Sequence, residues 1–224
     1  MYVETSHAAQ DYLKVIYEMT IDGQRASTNQ IAEQMRVTPA SATGMIQRLA
    51  AEEPPLVDYQ KHHGVSLTVE GERTALEIIR HHRLLEAFLQ KKLGYSWDKV
   101  HAEADRLEHV ISEELEERIS LSLGNPSYDP HGGPIPNREL EMPNQSNLRL
   151  SDLHPGSHVT IQRINHATPG MLRYLSSIGI MPDISITVLE ESPFDGNLRV
   201  KLDSQSVVLV LGIPITSRIF VTPE

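Results

Sequence analysis

Residues 27–49 read STNQIAEQMRVTPASATGMIQRL, and two helix starts stand close together in that stretch. Ser27 is followed three residues later by Gln30, a capping-box pair that opens a short helix through Met35. Thr38-Pro39 supplies a hydroxyl cap and then a proline at the first helical position. It opens a helix carrying Met45, Ile46 and Leu49 on one side. Two short helices joined by a tight turn match the helix-turn-helix pattern.

Working outward, Tyr12, Val15, Ile16 and Met19 recur at helical spacing and predict a first helix starting near Ser6 and ending at Gly23. Downstream, residues 56–59 and 65–68 read as two strands around a turn at His62-His63-Gly64, a candidate wing. Thr68 caps a long helix to about Leu93. Gly94 breaks it, and Ser96 caps a further helical stretch reaching about Leu121. Residues 124–148 hold five of the fourteen prolines, with Gly124, Gly132 and Gly133, and read as a linker. Beyond Leu150 the apolar residues alternate (Val159-Ile161, Ile184-Ile186-Val188, Leu198-Val200-Leu202, Val207–Leu211, Ile219-Val221), interrupted by a short helix around residues 172–177. That pattern predicts a small β-barrel.

Composition narrows the function. The chain has 224 residues, 39% hydrophobic and 22% charged, room for one or two domains with a proper core. No apolar run approaches the roughly 18 residues of a membrane span, and the N-terminus lacks a signal-peptide profile, so a cytoplasmic protein is expected. With no cysteine, disulfides, thiolate zinc sites and cysteine catalysis are excluded. A net charge of −10 argues against indiscriminate nucleic-acid binding. Even residues 1–70 carry nine Asp/Glu against five Lys/Arg. Bound divalent ions would offset part of that charge.

Metal-ligand chemistry is concentrated in the helices after the wing. His101, Glu103, Asp105, Glu108 and His109 fall in the nine residues HAEADRLEH, and His82 and Glu86 form an i,i+4 pair on the preceding helix. His82 lies in the apolar stripe of Ala75, Ile78, Ile79, Leu85 and Leu89, with Glu86 beside it. Inward ionisable groups are costly unless paired or metal-bound. Asp105, Glu108 and His109, at i, i+3 and i+4, border Ala104, Leu107 and Ile111. Helical Glu-x-x-His units recur in metal-binding bundles. The ordinary alternative for each pair is a structural hydrogen bond, and Glu113-Glu114-Glu116-Glu117 reads as a solvated face.

On the helix opened by Thr38, the exposed positions Thr38, Pro39, Ala40, Ser41, Thr43 and Gly44, with Gln47 a turn later, suit close approach to a DNA groove. No arginine stands at the helix start, so specificity is expected to lean on DNA shape and spacing. Arg48, Lys61, His62 and His63 are candidate phosphate contacts, each alone more ordinary as a surface residue.

Asp11-Tyr12-Leu13 with Ile16-Tyr17-Glu18, then His82-Arg83-Leu84-Leu85-Glu86, then Glu108-His109, resemble the diphtheria-toxin-repressor family of metal-dependent transcriptional regulators over residues 6 to about 140. Pro169–Leu175 and the Ile180-Met181-Pro182-Asp183 turn resemble the SH3-like domain of many members. The resemblance implies a mainly α protein: a winged helix-turn-helix at 1–70, a helical metal-binding and dimerisation domain at 71–140, a Pro/Gly-rich linker at 124–150, and an all-β SH3-like barrel at 151–224. It implies a homodimeric repressor of metal-homeostasis genes that binds double-stranded operator DNA when loaded with metal, with no membrane partner and no enzymatic role.

The primary ligands implied are Asp11, Asp105, Glu108 and His109, with His82 in addition. Iron-responsive members carry methionine and cysteine where this chain has Asp11 and Asp105, whereas manganese-responsive members carry carboxylates. Hard oxygen donors favour Mn2+ without abolishing Fe2+ binding, so Mn2+ is expected first and Fe2+ second. For an ancillary site the resemblance offers His82, Glu86 and His101, or Glu86 with Asp129 and His131 of the linker. Thr168 and Met171 replace the ligands that iron-type members take from the SH3-like domain, with His166 a weak substitute. Competing readings are an iron-responsive repressor of iron uptake, a metal buffer or adaptor, an organic-ligand sensor, and a dimetal enzyme. The last would leave the helix-turn-helix unexplained.

Overall fold

The computed structural model describes residues 5–165, 167–203 and 207–223; His166 lies outside them. The chain divides into two compact units, one holding the residues up to 82 with 108–111 and 136–141, the other the remainder.

In the first unit, Ser6 caps α1 (His7–Thr20) by accepting from the Ala9 amide, which buries Ala9, Tyr12, Leu13 and Ile16. The capping box at Ser27 and Gln30 opens α2 (Thr28–Gln34). Thr38 caps α3 (Pro39–Ala50), with proline in its first turn. Arg36, at φ 54°, turns the chain between the two helices. Leu13, Ile16, Ile31, Ile46, Leu49, Leu56 and Val65 close the core beneath them. β1 (Val57–Gln60) and β2 (Gly64–Leu67) pair antiparallel, from Val57 opposite Leu67 to Gln60 opposite Gly64. This hairpin is the expected wing.

α4 (Val69–Leu93) starts under Thr68, whose hydroxyl accepts from the Gly71 amide at 3.1 Å and donates to the Pro55 carbonyl at 2.7 Å. A Cβ on Gly71 would lie 1.8 Å from the Leu56 carbonyl oxygen. Backbone faces backbone there, so nothing flexible can give. Gly71→Ala is expected to destabilise the protein by about 1–3 kcal/mol through this overlap. Chemical denaturation reads the change, and an unchanged midpoint would mean that the helix start can slide.

In the second unit, the helical stretch expected from Ser96 to about Leu121 is two helices, α5 (Val100–Leu107) and α6 (Glu113–Leu123). The physical reason is Ser112. Its extended backbone (φ −84°, ψ 156°) cannot continue a helix, and its hydroxyl accepts from the Leu115 amide to start a new one. Ser96 closes only a turn, accepting from the Lys99 amide through its carbonyl.

After α6, Gly124 at φ 77° ends the helix, and the linker runs without regular elements apart from a bridge between Tyr128 and Pro134. Beyond it, β3 (His158–Ile164), β4 (Ser185–Glu191), β5 (Leu198–Leu202), β6 (Val208–Leu211) and β7 (Ile219–Pro223) form one antiparallel sheet, ordered β6-β5-β4-β3-β7. α7 (Pro169–Ser177) lies between β3 and β4, and α8 (Ile213–Thr216) precedes β7. Leu150, Ile161, Leu175, Ile180, Ile186, Val200, Leu202, Ile219 and Val221 fill the core of this sheet domain. The linker is docked on it, because the Ile164 amide donates to the His131 carbonyl at 2.9 Å. Among the described residues, no helix is long and apolar enough to cross a membrane.

Candidate metal centres

Among the described residues, two of the groups of possible ligands each lie wholly inside one unit. In the first unit, α1 supplies Asp11, and the turn after Leu107 supplies Glu108 and His109. Their ligand atoms all lie within 4.8 Å of one another. The helical i+3, i+4 spacing expected for Glu108 and His109 does not apply, because both project from the turn.

His109 Nε2 lies 3.0 Å from Asp11 Oδ1 and 3.5 Å from Glu108 Oε1. Its Nδ1 donates to Gln10 Oε1 at 2.7 Å, and its ring stacks on His7 at 4.8 Å. Two partners therefore orient this imidazole, and its Nε2 is presented to two carboxylates. A lone pair there wants either a proton or a cation. His82, from α4, reaches Glu108 Oε2 through Nδ1 at 2.5 Å.

Glu108 is 1% exposed, yet Lys14 donates to both of its oxygens, at 2.7 and 3.0 Å. Burial works against its charge, but the hydrogen bonds and positive charge of His82 and Lys14 hold its carboxyl below the usual range. The donor set is wholly carboxylate oxygen and imidazole nitrogen, which fits a hard or borderline divalent cation.

In the second unit, Glu86 of α4 meets Asp129 and His131 of the linker, again with ligand atoms within 4.8 Å. His131 Nδ1 lies 3.5 Å from Glu86 Oε2 and 3.9 Å from Asp129 Oδ1. Its other nitrogen, Nε2, donates to the Trp97 carbonyl at 3.0 Å, which leaves Nδ1 as the donor atom for an ion. The Trp97 indole stacks on His131 at 5.4 Å and donates to the Pro130 carbonyl. Asp129 Oδ1 accepts from the His131 and Gly133 amides, and Oδ2 stands 3.8 Å from Arg83 Nε.

Burial and the neighbouring Glu86 charge push the Asp129 carboxyl up to about 6, against the pull of Arg83 and His131. Burial opposes charge on His131, but hydrogen bonding and charge from Glu86, with Asp129 beside it, raise it above its ordinary value. Two buried carboxylates in one small space are what a cation would relieve. His101 joins this cluster through Nδ1, 3.0 Å from Glu86 Oε1, and Asp105 stands one turn further along α5, 3.6 Å from His101 Nε2.

Of the surface-directed candidates, Thr38, Pro39, Ala40, Ser41 and Gln47 are exposed, and Thr43 is half-buried. The Thr38 and Ser41 hydroxyls lie 2.9 Å apart, and Thr43 donates to the Pro39 carbonyl. Lys61, His62 and His63 are exposed at the tip of the hairpin. Lys14, Gln10 and Trp97 escaped the sequence reading. Lys14 stands three residues after Asp11 on a helix, where a lysine reads as surface, and nothing local announces a partner 94 residues away.

Three family models match consecutive stretches: the iron-dependent repressor N-terminal DNA-binding domain over residues 4–65, the iron-dependent repressor metal-binding and dimerisation domain over 68–137, and the FeoA domain over 148–223. The iron-dependent repressor IdeR of Mycobacterium leprae is 31% identical over 194 residues, covering 81% of this chain and 83% of that protein. A solved manganese-dependent transcriptional repressor in complex with manganese is 42% identical, with TM-score 0.87 over 96% of this chain and 100% of the other. The structure of ScaR with bound Cd2+ is 31% identical, with TM-score 0.81 over 96% of this chain and 99% of the other. The chain thus belongs to the iron-dependent repressor family of metal-dependent transcriptional regulators.

Proposed function

We propose that this protein is a cytoplasmic, non-enzymatic repressor that binds operator DNA as a homodimer when Mn2+, or second Fe2+, is bound. The observation that carries the metal choice is the convergence of Asp11, Glu108 and His109 without any sulfur donor. Asp11, Glu108 and His109, with His82 on the far side of Glu108, would hold the first ion. Asp105 is retained as a further candidate. Glu86, Asp129 and His131, with His101 behind Glu86, would hold the second.

A bound divalent ion supplies two positive charges at a point where carboxylates otherwise repel. Asp11 belongs to the helix that packs on the helix-turn-helix core, whereas Glu108 and His109 follow α5. Drawing these carboxylates together therefore ties the reading head to the helical region. In a dimer that sets the separation of two α3 helices, which a palindromic operator reads as half-site spacing. Metal affinity and DNA affinity are then coupled reciprocally. Leu93, Leu115 and Leu121, exposed in the single chain, support dimerisation as apolar surface to be covered. Thr38, Pro39, Ala40, Ser41, Thr43 and Gln47 would face the major groove.

The test is DNA binding to promoters of metal-transporter genes, titrated in parallel with Mn2+, anaerobic Fe2+ and chelator. Binding that requires micromolar-range metal is expected, with Mn2+ the more effective ion. Equal binding in chelator would overturn the reading. Iron dependence in IdeR relatives is what keeps Fe2+ as the second ion.

A further inference from the structure

We propose that Lys14 is a resident counter-cation of the first centre, and that a divalent ion must displace its ammonium, so Lys14 sets the metal concentration at which the protein responds. The inference rests on the reading that Asp11, Glu108 and His109 hold a divalent ion.

The Lys14 ammonium sits on both Glu108 oxygens, at 2.7 and 3.0 Å. Those oxygens are the ones nearest to His109 Nε2 and His82 Nδ1. Lysine and ion thus compete for the same lone pairs. Lys14 follows Asp11 by three residues on α1, so its side chain rises from the same helical face. A carboxylate 1% exposed needs a positive partner to stay ionised. Lys14, together with His82, provides that partner when no ion does.

The side chain suits displacement. It is 16% exposed, so its long stem can return the ammonium to water while still covering apolar surface. An arginine would pair with both oxygens through a fixed fork and resist leaving. Charge decides the exchange. Asp11 and Glu108 carry two negative charges against one on Lys14. A divalent ion that enters while the ammonium stays puts two cations on one carboxylate, whereas one-for-one exchange balances the two carboxylate charges with one ion. A monovalent ion gains nothing by the same exchange.

The experiment compares wild-type, Lys14→Met, Lys14→Gln and Lys14→Arg full-length chains in a His131→Ala background, which removes the second cluster. Mn2+ binding is followed by the electron paramagnetic resonance signal of free ion, and melting temperature is recorded with and without Mn2+. Lys14→Met is expected to tighten Mn2+ binding by about tenfold, a shift typical of groups just outside a metal's ligands. It is also expected to melt earlier without metal and to gain more from metal than wild type. Should Lys14→Met not fold, Lys14→Gln keeps a hydrogen-bond donor without charge and is expected to shift the same way.

Lys14→Arg keeps the charge in the fixed fork and is expected to bind Mn2+ more weakly. Unchanged or weaker binding in the folded neutral variants, or tighter binding in Lys14→Arg, overturns the proposal while leaving the metal site standing. Absence of Mn2+ binding even with Lys14 present would instead remove the site on which the proposal depends.

Discussion

Glu108→Gln is expected to lower Mn2+ affinity at the first centre by a hundredfold or more, because outer groups alone are worth about 10–100-fold and Glu108 faces the other donors directly. His109→Ala is expected to do the same. Both should lose metal-dependent operator binding while remaining folded. Glutamine keeps the shape of Glu108 but only one acceptor oxygen, so it loses a charged hydrogen bond from Lys14 or His82, and the metal-free fold should lose about 1.5–3 kcal/mol. Metal at a hundred times its dissociation constant stabilises a folded protein by about 2.7 kcal/mol. That gain, visible as a rise in melting temperature for a His131→Ala chain that keeps only the first centre, should vanish when either substitution is added to it. A preserved metal-induced rise together with preserved metal-dependent DNA binding would refute the assignment of Glu108 and His109.

Gly132→Ala is expected to disable the second centre without touching any of its ligands. Gly132 sits at φ 82°, and a Cβ there would lie 1.9 Å from the Gln162 carbonyl oxygen and 2.7 Å from the Arg163 Cα. The left-handed conformation costs an alanine about 1–2 kcal/mol, and the overlap with β3 backbone adds to it. The linker must lift, breaking the His131–Ile164 backbone bond and carrying Asp129 and His131 away from Glu86. Mn2+ stoichiometry should fall by the second site while the first keeps its affinity. Gly156→Ala separates strain from overlap, since Gly156 has φ 93° but open space around its Cβ position. It should lose a little stability and no metal. If Gly132→Ala retains both ions, the docking of the linker on β3 does not build the site.

Much of the architecture was legible because it is written in local chemistry. Ser27 with Gln30, and Thr38 with Pro39, satisfy orphan amides within their own first turns, so α2 and α3 start where those residues stand. The hairpin and the alternating strands follow from a two-residue repeat that needs one buried face. The same reasoning missed the break between α5 and α6. Ser112 carries a cap signature too, but the acidic, helix-favouring residues on either side read as one continuous helix. The extended backbone of Ser112, which cannot continue a helix, decides otherwise.

The clusters were legible as a set of ligand types and only partly as sites. Glu86 and His82 are four residues apart on one helix, and each also has further partners: Glu86 meets Asp129 and His131, and His82 meets Glu108. Helical spacing gives direction around an axis, not the identity of what packs there. Asp129 and His131 lie in a proline-rich stretch with no periodicity at all, and only family resemblance drew attention to them.

The sequence by itself determined the cysteine-free, oxygen-and-nitrogen donor chemistry, the helix-turn-helix with its wing, the linker and the β domain. Each depends on residues a few positions apart. Only the tertiary structure decided which carboxylate meets which imidazole, that Lys14 sits on Glu108, and that Trp97 orients His131. The contacts of His82 with Glu108, Trp97 with His131, Lys14 with Glu108 and Asp11 with His109 join residues 26, 34, 94 and 98 positions apart. Chain connectivity sets no distance over such separations; packing of the apolar core does.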